Sequence, residues 1–479
     1  MQDVIIIGCG VTGAACAYAL SRYNCSVSVL EADNDVANGT TKANSAIIHA
    51  GYDPRPGTKM AELNVRGSRM TKELCKRLDV PYKEIGSLVL ALSEADMDCI
   101  RELYRRGTQN GVEGLQLLDA GQVRNMEPNL TQAVLGALYA PTAGIISPWE
   151  YCLAMAETAV RNGVELRRRC RVTAIRKEPD GTFTVTAGGE EFHARYVVNA
   201  AGVWAGHVHE LIGEKEFTIH PVRGEYYLLD KSEGNCVHHV IFQCPSEVGK
   251  GVLVSPTVHG NLIVGPTAEP CGPEDLGNTV EGLAKVRRLA VRSVPDVNFR
   301  ENIRNFSGIR ANSDAGDFIL RESRSVPHFV DAAGICSPGL SSAPAIGEYL
   351  VELLGSLGLP LEKKKNYIDT RRRIRFAELP DAEKNALIRQ DPRYGRVICR
   401  CETVTEGEIA ACLQTPIPPY SVNGVKRRVS AGMGRCQGGF CGPRVQELLA
   451  KHYGVSEAEI MMDADGTFVL TGQTKGGEA

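Results

Sequence analysis

Two groups of residues in this sequence have the types and spacing to do chemistry. Near the C-terminus, Cys399-Arg400-Cys401 and Cys436-Gln437-Gly438-Gly439-Phe440-Cys441 present four thiols as two close pairs. Thiolates this near one another gain by sharing a soft cation, so Cys399, Cys401, Cys436 and Cys441 are expected to ligate a metal centre. The neighbouring glycines leave backbone N–H groups free to bond to sulfur. Thiolate chemistry alone admits zinc as well as an iron–sulfur cluster, although the one-residue gap of the first pair is less usual for a zinc ribbon. The singly placed cysteines, among them Cys16, Cys75 and Cys152, read as buried structural thiols, and Cys412 as a bystander between the pairs.

The second group opens the chain. Gly8-Cys9-Gly10-Val11-Thr12-Gly13 has the pattern of a phosphate-binding turn. Gly8 makes the tight turn, Gly10 lets a pyrophosphate approach the backbone, and Gly13 lets the following helix pack close to the strand. Glu31, eighteen residues past Gly13, is placed to bind ribose hydroxyls. The motif does not by itself separate FAD from NAD.

The elements that must position these residues can be read around them. Val4-Ile5-Ile6-Ile7 is a β-branched apolar run, as in a parallel strand buried on both faces. Ala14 to Leu20 reads as a helix whose N-terminus faces the phosphates, and Ser26 to Leu30 as a second strand ending at Glu31. Three later segments favour FAD. Val172 follows a basic strand over 165–171 and could contact an adenine. Tyr196 to Trp204 is a strand ending in small residues, with Ala200, Gly202 and Trp204 near a ligand. Gly334 to Ala345 is a glycine-rich turn before a helix expected over 346–354, whose N-terminus could face the anionic edge of a flavin.

Composition excludes several classes. The chain has 479 residues, net charge −3 and 43% apolar residues, enough for two to four packed domains. A near-neutral balance argues against nucleic acid as a main partner. Met1-Gln2-Asp3 leads straight into the first strand, and no apolar run approaches a bilayer span, so a cytoplasmic location is expected. Peripheral attachment to a membrane through a partner stays open.

The stretch Lys42 to Pro54 (KANSAIIHAGYDP), together with the glycine turn and Ser337-Pro338-Gly339-Leu340, resembles the D-amino-acid-oxidase-like superfamily of FAD enzymes. Arg223 to Tyr227, Gly249 to Pro256, Asn261 to Thr267 and Gly316 to Arg321 are most similar to the type II glycerol-3-phosphate oxidases and dehydrogenases. The likeness runs over about residues 1–360. It implies an FAD site that also draws on Val11, Thr12, Ala32, Thr41, Asn44, Ser45, Ser337, Pro338, Gly339, Leu340 and Ser341. It implies His49 as the base that takes the hydroxyl proton while a hydride passes to flavin N5; a neutral imidazole suits that task. It implies Arg310 and Lys250 as catalytic and phosphate-binding residues, with Ser337 near flavin and substrate; Arg223 is added from its position alone. Asp53 stands where the membrane-bound enzymes carry an arginine, which excludes close kinship with that class. The cysteine segment resembles the bacterioferritin-associated ferredoxin-like domain, which implies a 2Fe–2S cluster on all four cysteines, zinc being the alternative.

The expected fold class is α/β (α+β): a Rossmann-like FAD-binding domain, a mostly antiparallel substrate domain and a small helical C-terminal domain. FAD-binding parts are expected over about 1–50, 150–205 and 310–362, and substrate-domain parts over 51–149 and 206–309. A linker over 363–395, a cluster domain over 396–460 and a tail over 461–479 complete the chain. The linker's basic runs, Lys363 to Lys365 and Arg371 to Arg373, are expected to be solvated surface, docking of an acidic partner being the alternative. The expected activity is oxidation of glycerol 3-phosphate to dihydroxyacetone phosphate, electrons leaving through the cluster to a second redox subunit or other acceptor. L-2-Hydroxyglutarate dehydrogenases share His49-Ala50-Gly51, so a 2-hydroxy acid or amino acid substrate is the competing reading. A non-enzymatic electron-transfer subunit is the third.

Overall fold

In the computed structural model, residues 1–244 and 251–472 are described. The apolar run Gln2–Ile7 forms the centre of a sheet, parallel to Val27–Leu30 on one side and Glu190–Asn199 on the other. Its four apolar residues are buried because both faces are covered, Val4 and Ile6 by the helical core and Ile5 and Ile7 by Ile175, Phe183, Val185 and Val208, which is why the run does not alternate. Glu165–Arg167 extends this sheet at one edge, and Phe183–Ala187, Val172–Lys177, Phe329–Ala333 and Ile319–Glu322 complete eight strands. Helix Val11–Leu20 carries small residues that let it pack tightly against Gly339–Ser356. A Cβ on Gly347 would come within 2.5 Å of the Ala15 carbonyl oxygen.

A second, mostly antiparallel sheet of nine strands roofs the first. Its long pair, Ile219–Leu229 with Asn302–Ser313, runs in register from Ile219↔Ser313 to Leu228↔Arg304, with a shift before Leu229↔Asn302. One parallel pair, Val240–Gln243 with Ser87–Ala91, interrupts the antiparallel order. The C-terminal domain is small and helical. Glu406–Cys412, Val422–Val429 and Gly442–Tyr453 pack around Ile409, Val425, Val445 and Leu449. No helix among the described residues is long and apolar enough to cross a membrane.

Four features differ from the sequence reading. The helix expected at 346–354 begins at Gly339 and contains Pro344. The small residues that read as a turn are there because neighbours crowd the first turns: a Cβ on Gly67 would lie 2.2 Å from the Ser341 carbonyl oxygen. Helix Lys59–Leu78 lies in the stretch assigned by sequence to the substrate domain, yet it packs on Gly339–Ser356, and its Leu63, Leu74 and Leu78 join the core of the nucleotide-binding domain. Strand Asn302–Ser313 crosses the boundary expected at 309/310 as one uninterrupted element.

The linker arginines are the fourth. Residues 371–375 run extended, so alternate side chains point the same way. Arg371, Arg373 and Arg375 point inward and pair with Glu157 at 2.7 Å, Glu150 at 2.6 Å and Asp79 at 2.8 Å. The acidic surface they dock on belongs to this chain; Lys363 and Lys365 remain exposed as expected.

Candidate active site

The C-terminal ends of strands Gln2–Ile7 and Val27–Leu30 open onto a cavity of about 590 Å³. Every nucleotide-site residue expected from the sequence lines it, except Gly13, Gly334 and Ser341. Gly8 turns the chain with φ +96°, and a Cβ there would sit 2.7 Å from the Ala200 carbonyl oxygen. Gly10 leaves the helix start open, and Val11 N–H donates to Thr41 Oγ1 at 2.9 Å. Glu31 accepts N–H bonds from Cys9 at 2.7 Å and Asp33 at 2.9 Å. Burial pushes its carboxyl up to about 7 despite those bonds. A buried carboxylate beside an open backbone cradle fits a ribose and pyrophosphate.

Gly13 and Gly334 act from behind the cavity wall. A Cβ on Gly13 would lie 2.0 Å from the Gly8 carbonyl oxygen; one on Gly334, at φ +64°, would lie 2.7 Å from Ser313 Oγ. Ser341 is fully buried, and its Oγ accepts the His49 backbone N–H at 2.7 Å. It anchors the histidine rather than facing a ligand.

The small-residue wall at Ala200 to Gly202 has its own support. Asn199 Nδ2 donates to the Ala205 carbonyl oxygen at 2.8 Å and to Asp331 Oδ1 at 2.9 Å. Asp331 Oδ2 lies 2.8 Å from His209 Nδ1. Burial alone would lower the His209 pKa, but the Asp331 bond outweighs it and the net shift is upward.

His49 sits just past strand Ile47–Ile48 and lines the cavity. Its ring stacks on Phe242 at 5.7 Å, Asn64 Nδ2 donates to its carbonyl oxygen at 2.8 Å, and Ser337 Oγ lies 3.4 Å from Nε2. Arg310 lines the same cavity, with Nη1 donating to the Thr267 carbonyl oxygen at 3.2 Å. Lys250 lies outside the described residues.

Arg223 is not brought to this site. Directly opposed residues of an antiparallel pair share a face. Arg310 opposes Val222 whereas Arg223 opposes Ile309, so the two guanidiniums leave opposite faces. Arg223 instead pairs with Asp275 at 2.7 Å and Glu225 at 3.4 Å.

Sequence reasoning missed Phe242, Tyr226 and Lys42, which also line the cavity. Tyr226 OH lies 3.2 Å from Ser45 Oγ. Lys42 and Tyr226 fall in segments that carried the family resemblance, and Phe242 has only its position on a roof strand.

The roof meets the cavity at Gly308, where a Cβ would fall 1.8 Å from the Ala43 carbonyl oxygen. Gly308→Ala is therefore expected to displace this strand at a cost of about 1–3 kcal/mol. The measurable result is a lower flavin-to-protein ratio after gel filtration; an unchanged ratio would show that the contact is not needed.

The four cysteines converge crosswise. Cys401 Sγ lies 3.7 Å from Cys436 Sγ, and Cys399 and Cys441 are near enough to perturb each other's thiols. The neighbouring Cys441, with the Gly432 and Glu402 N–H groups, holds the Cys399 thiol below its usual range. The Phe440 and Gly438 N–H groups point at Cys436. Four thiols with backbone N–H groups aimed at them fit a [2Fe-2S] cluster, which these cysteines would hold. Cys401 is exposed and Cys436 half-buried, while Cys399 and Cys441 are buried. Cys412 packs in the domain core, where burial raises its thiol to about 12.

Comparison with known proteins agrees with this geometry. Residues 3–353 match the family described as FAD dependent oxidoreductase, and residues 397–451 match the BFD-like [2Fe-2S] binding domain. A glycerol 3-phosphate dehydrogenase from Caloramator mitchellensis is 49% identical over 477 residues, covering 99% of each chain. The structure of a dithionite-reduced L-alpha-glycerophosphate oxidase from Mycoplasma pneumoniae with FAD bound superposes with TM-score 0.74 at 32% identity, over 77% of this chain and 98% of that one. An L-2-hydroxyglutarate dehydrogenase from Escherichia coli is 31% identical over 273 residues, 56% of this chain and 64% of its own length.

Proposed function

Since the chain belongs to the FAD dependent oxidoreductase family and carries a [2Fe-2S] domain behind it, we propose that it oxidises sn-glycerol 3-phosphate to dihydroxyacetone phosphate by hydride transfer to flavin N5, with electrons leaving through the cluster. The carrying observation is that an imidazole, His49, and a guanidinium, Arg310, line the same cavity as the Gly8–Glu31 unit. The full-length likeness to a glycerol 3-phosphate dehydrogenase supports this substrate over 2-hydroxyglutarate, whose dehydrogenases match only part of the chain.

FAD, when bound, supplies the two-electron acceptor. His49 takes the secondary hydroxyl's proton at Nε2, the nitrogen beside Ser337. The stack on Phe242 and the two backbone anchors hold the ring in place, so little ordering remains when substrate arrives. Arg310, with one Nη1 bond to Thr267, keeps N–H groups for a phosphate dianion, and Lys250 adds a point charge. The roof strands over the cavity exclude water from the reacting carbon. Cys399, Cys401, Cys436 and Cys441 would hold a [2Fe-2S] cluster, which would supply a one-electron carrier, and Cys401 is the exposed one of the four.

The test is anaerobic flavin reduction against a substrate panel. Glycerol 3-phosphate is expected to bleach the flavin within the mixing experiment, while L-2-hydroxyglutarate and amino acids leave it oxidised. The reverse order would replace the phosphate with a carboxylate at Arg310; no bleaching by any alcohol or acid would leave an electron-transfer subunit.

A further inference from the structure

The two redox sites are tied to each other by a chain of charges that neither chemistry requires. Lys42, on the cavity wall, pairs through Nζ with Asp463 Oδ2 at 2.9 Å. Asp463 Oδ1 in turn pairs with Arg427 at 2.8 Å, and Asn34 Nδ2 donates to the Asp463 carbonyl oxygen at 2.7 Å. Arg427 stands on helix Val422–Val429 of the cluster domain. The preceding residue of that helix, Lys426, donates to Gln437 Oε1 at 3.1 Å, and Gln437 follows the ligand Cys436. Adjacent residues of one short helix therefore hold the flavin-cavity wall and the cluster loop.

The segment around Asp463 is built for this contact. Asp463 N–H donates to Thr467 Oγ1 at 2.9 Å, Met461 bridges to Ser421 and Phe468, and Asp465 pairs with Arg169 at 3.0 Å. Arg169 neighbours Arg171 and Val172 on a second stretch of cavity wall. The stretch read from sequence as a tail is thus packed across the nucleotide-binding domain.

We propose that Asp463 is a positioning residue for the flavin cavity, acting through Lys42, and that helix Val422–Val429 makes FAD binding and cluster insertion mutually dependent. Linkage makes such a coupling reciprocal: whatever the cluster adds to FAD affinity, FAD adds to cluster retention. The proposal needs only the two cofactors and is independent of the substrate. A contiguous path suggests coupling; a double-mutant cycle measures it.

The experiment uses the full-length protein with both cofactors and follows FAD release on dilution by recovery of flavin fluorescence. Asp463→Ala and Lys42→Ala are each expected to raise the FAD dissociation constant about five- to tenfold, within the range of ordinary site–site coupling. The double variant is expected to be no worse than Lys42→Ala alone, and Asp463→Glu to restore affinity to within about twofold, as a direct pair requires. Cys401→Ser, which removes a cluster ligand that does not line the cavity, is expected to weaken FAD in the same direction. The visible spectrum of the cluster checks that Asp463→Ala has folded; if it has not, Lys42→Ala, which leaves the cluster domain untouched, must loosen the cluster to chelator. An FAD affinity unchanged in Asp463→Ala, additive effects in the cycle, or a Lys42→Ala protein whose cluster is as resistant as wild type would each overturn the proposal.

Discussion

Replacing His49 with asparagine is expected to slow substrate-driven bleaching of the flavin by about 10²- to 10⁴-fold, the usual contribution of a positioned base, while FAD stays bound. The amide keeps a hydrogen-bonding group of similar reach but cannot take a proton. The backbone at this position is fixed independently of the ring, by Ser341 Oγ on the N–H and Asn64 Nδ2 on the carbonyl oxygen. The variant therefore changes the chemistry without moving the chain. Stopped-flow bleaching under anaerobic conditions reads the effect. A variant rate within threefold of wild type would remove His49 from the role.

The nucleotide half of the site was legible because its parts are local. The strand, turn, helix and acid from Gln2 to Glu31 lie within one stretch, and each has a type dictated by geometry: no side chain at Gly8 or Gly10, a carboxylate at Glu31. The cysteine centre was legible for the same reason, although sequence proximity suggested pairs 399/401 and 436/441 where the fold sets 401 against 436. What sequence did not reveal depends on contacts between distant segments. Arg223 and Arg310 are both arginines on roof strands, and only the register Val222↔Arg310 separates the one that faces the cavity from the one paired with Asp275. The run Gly339 to Ala345 looks like a turn until Lys59–Leu78 and Val11–Leu20 are seen to press on it. Arg371, Arg373 and Arg375 look solvated until Glu157, Glu150 and Asp79 stand opposite them.

Arg428→Leu is expected to destabilise the docking of the cluster domain by about 3–5 kcal/mol, because it strands a buried charge. Arg428 and Asp35 are 3% and 2% exposed, and the guanidinium meets both carboxylate oxygens, at 2.8 and 2.9 Å. The rest of the guanidinium is satisfied by the Ile417 and Gly424 carbonyl oxygens. Burial alone would raise the Asp35 carboxyl, yet the pairing with Arg428, helped by Arg427 and Arg168, holds it down at about 2. A depressed carboxyl adds stability that is present above its unfolded value of 3.8 and is lost as pH falls through about 2. The contact is thus at full strength at neutral pH and is released only in strong acid. Without Arg428, Asp35 keeps Arg427 at 3.4 Å and Arg168 at 3.9 Å, too far to replace a two-point bond. The variant should lose cluster absorbance at lower urea than wild type, and loss of docking should begin at higher pH. Removing both charges, with Asp35→Leu added, should recover part of the loss, since a buried pair repays its own desolvation poorly. A double variant no better than Arg428→Leu would mean that the arginine acts through its carbonyl bonds to Ile417 and Gly424 and not through Asp35.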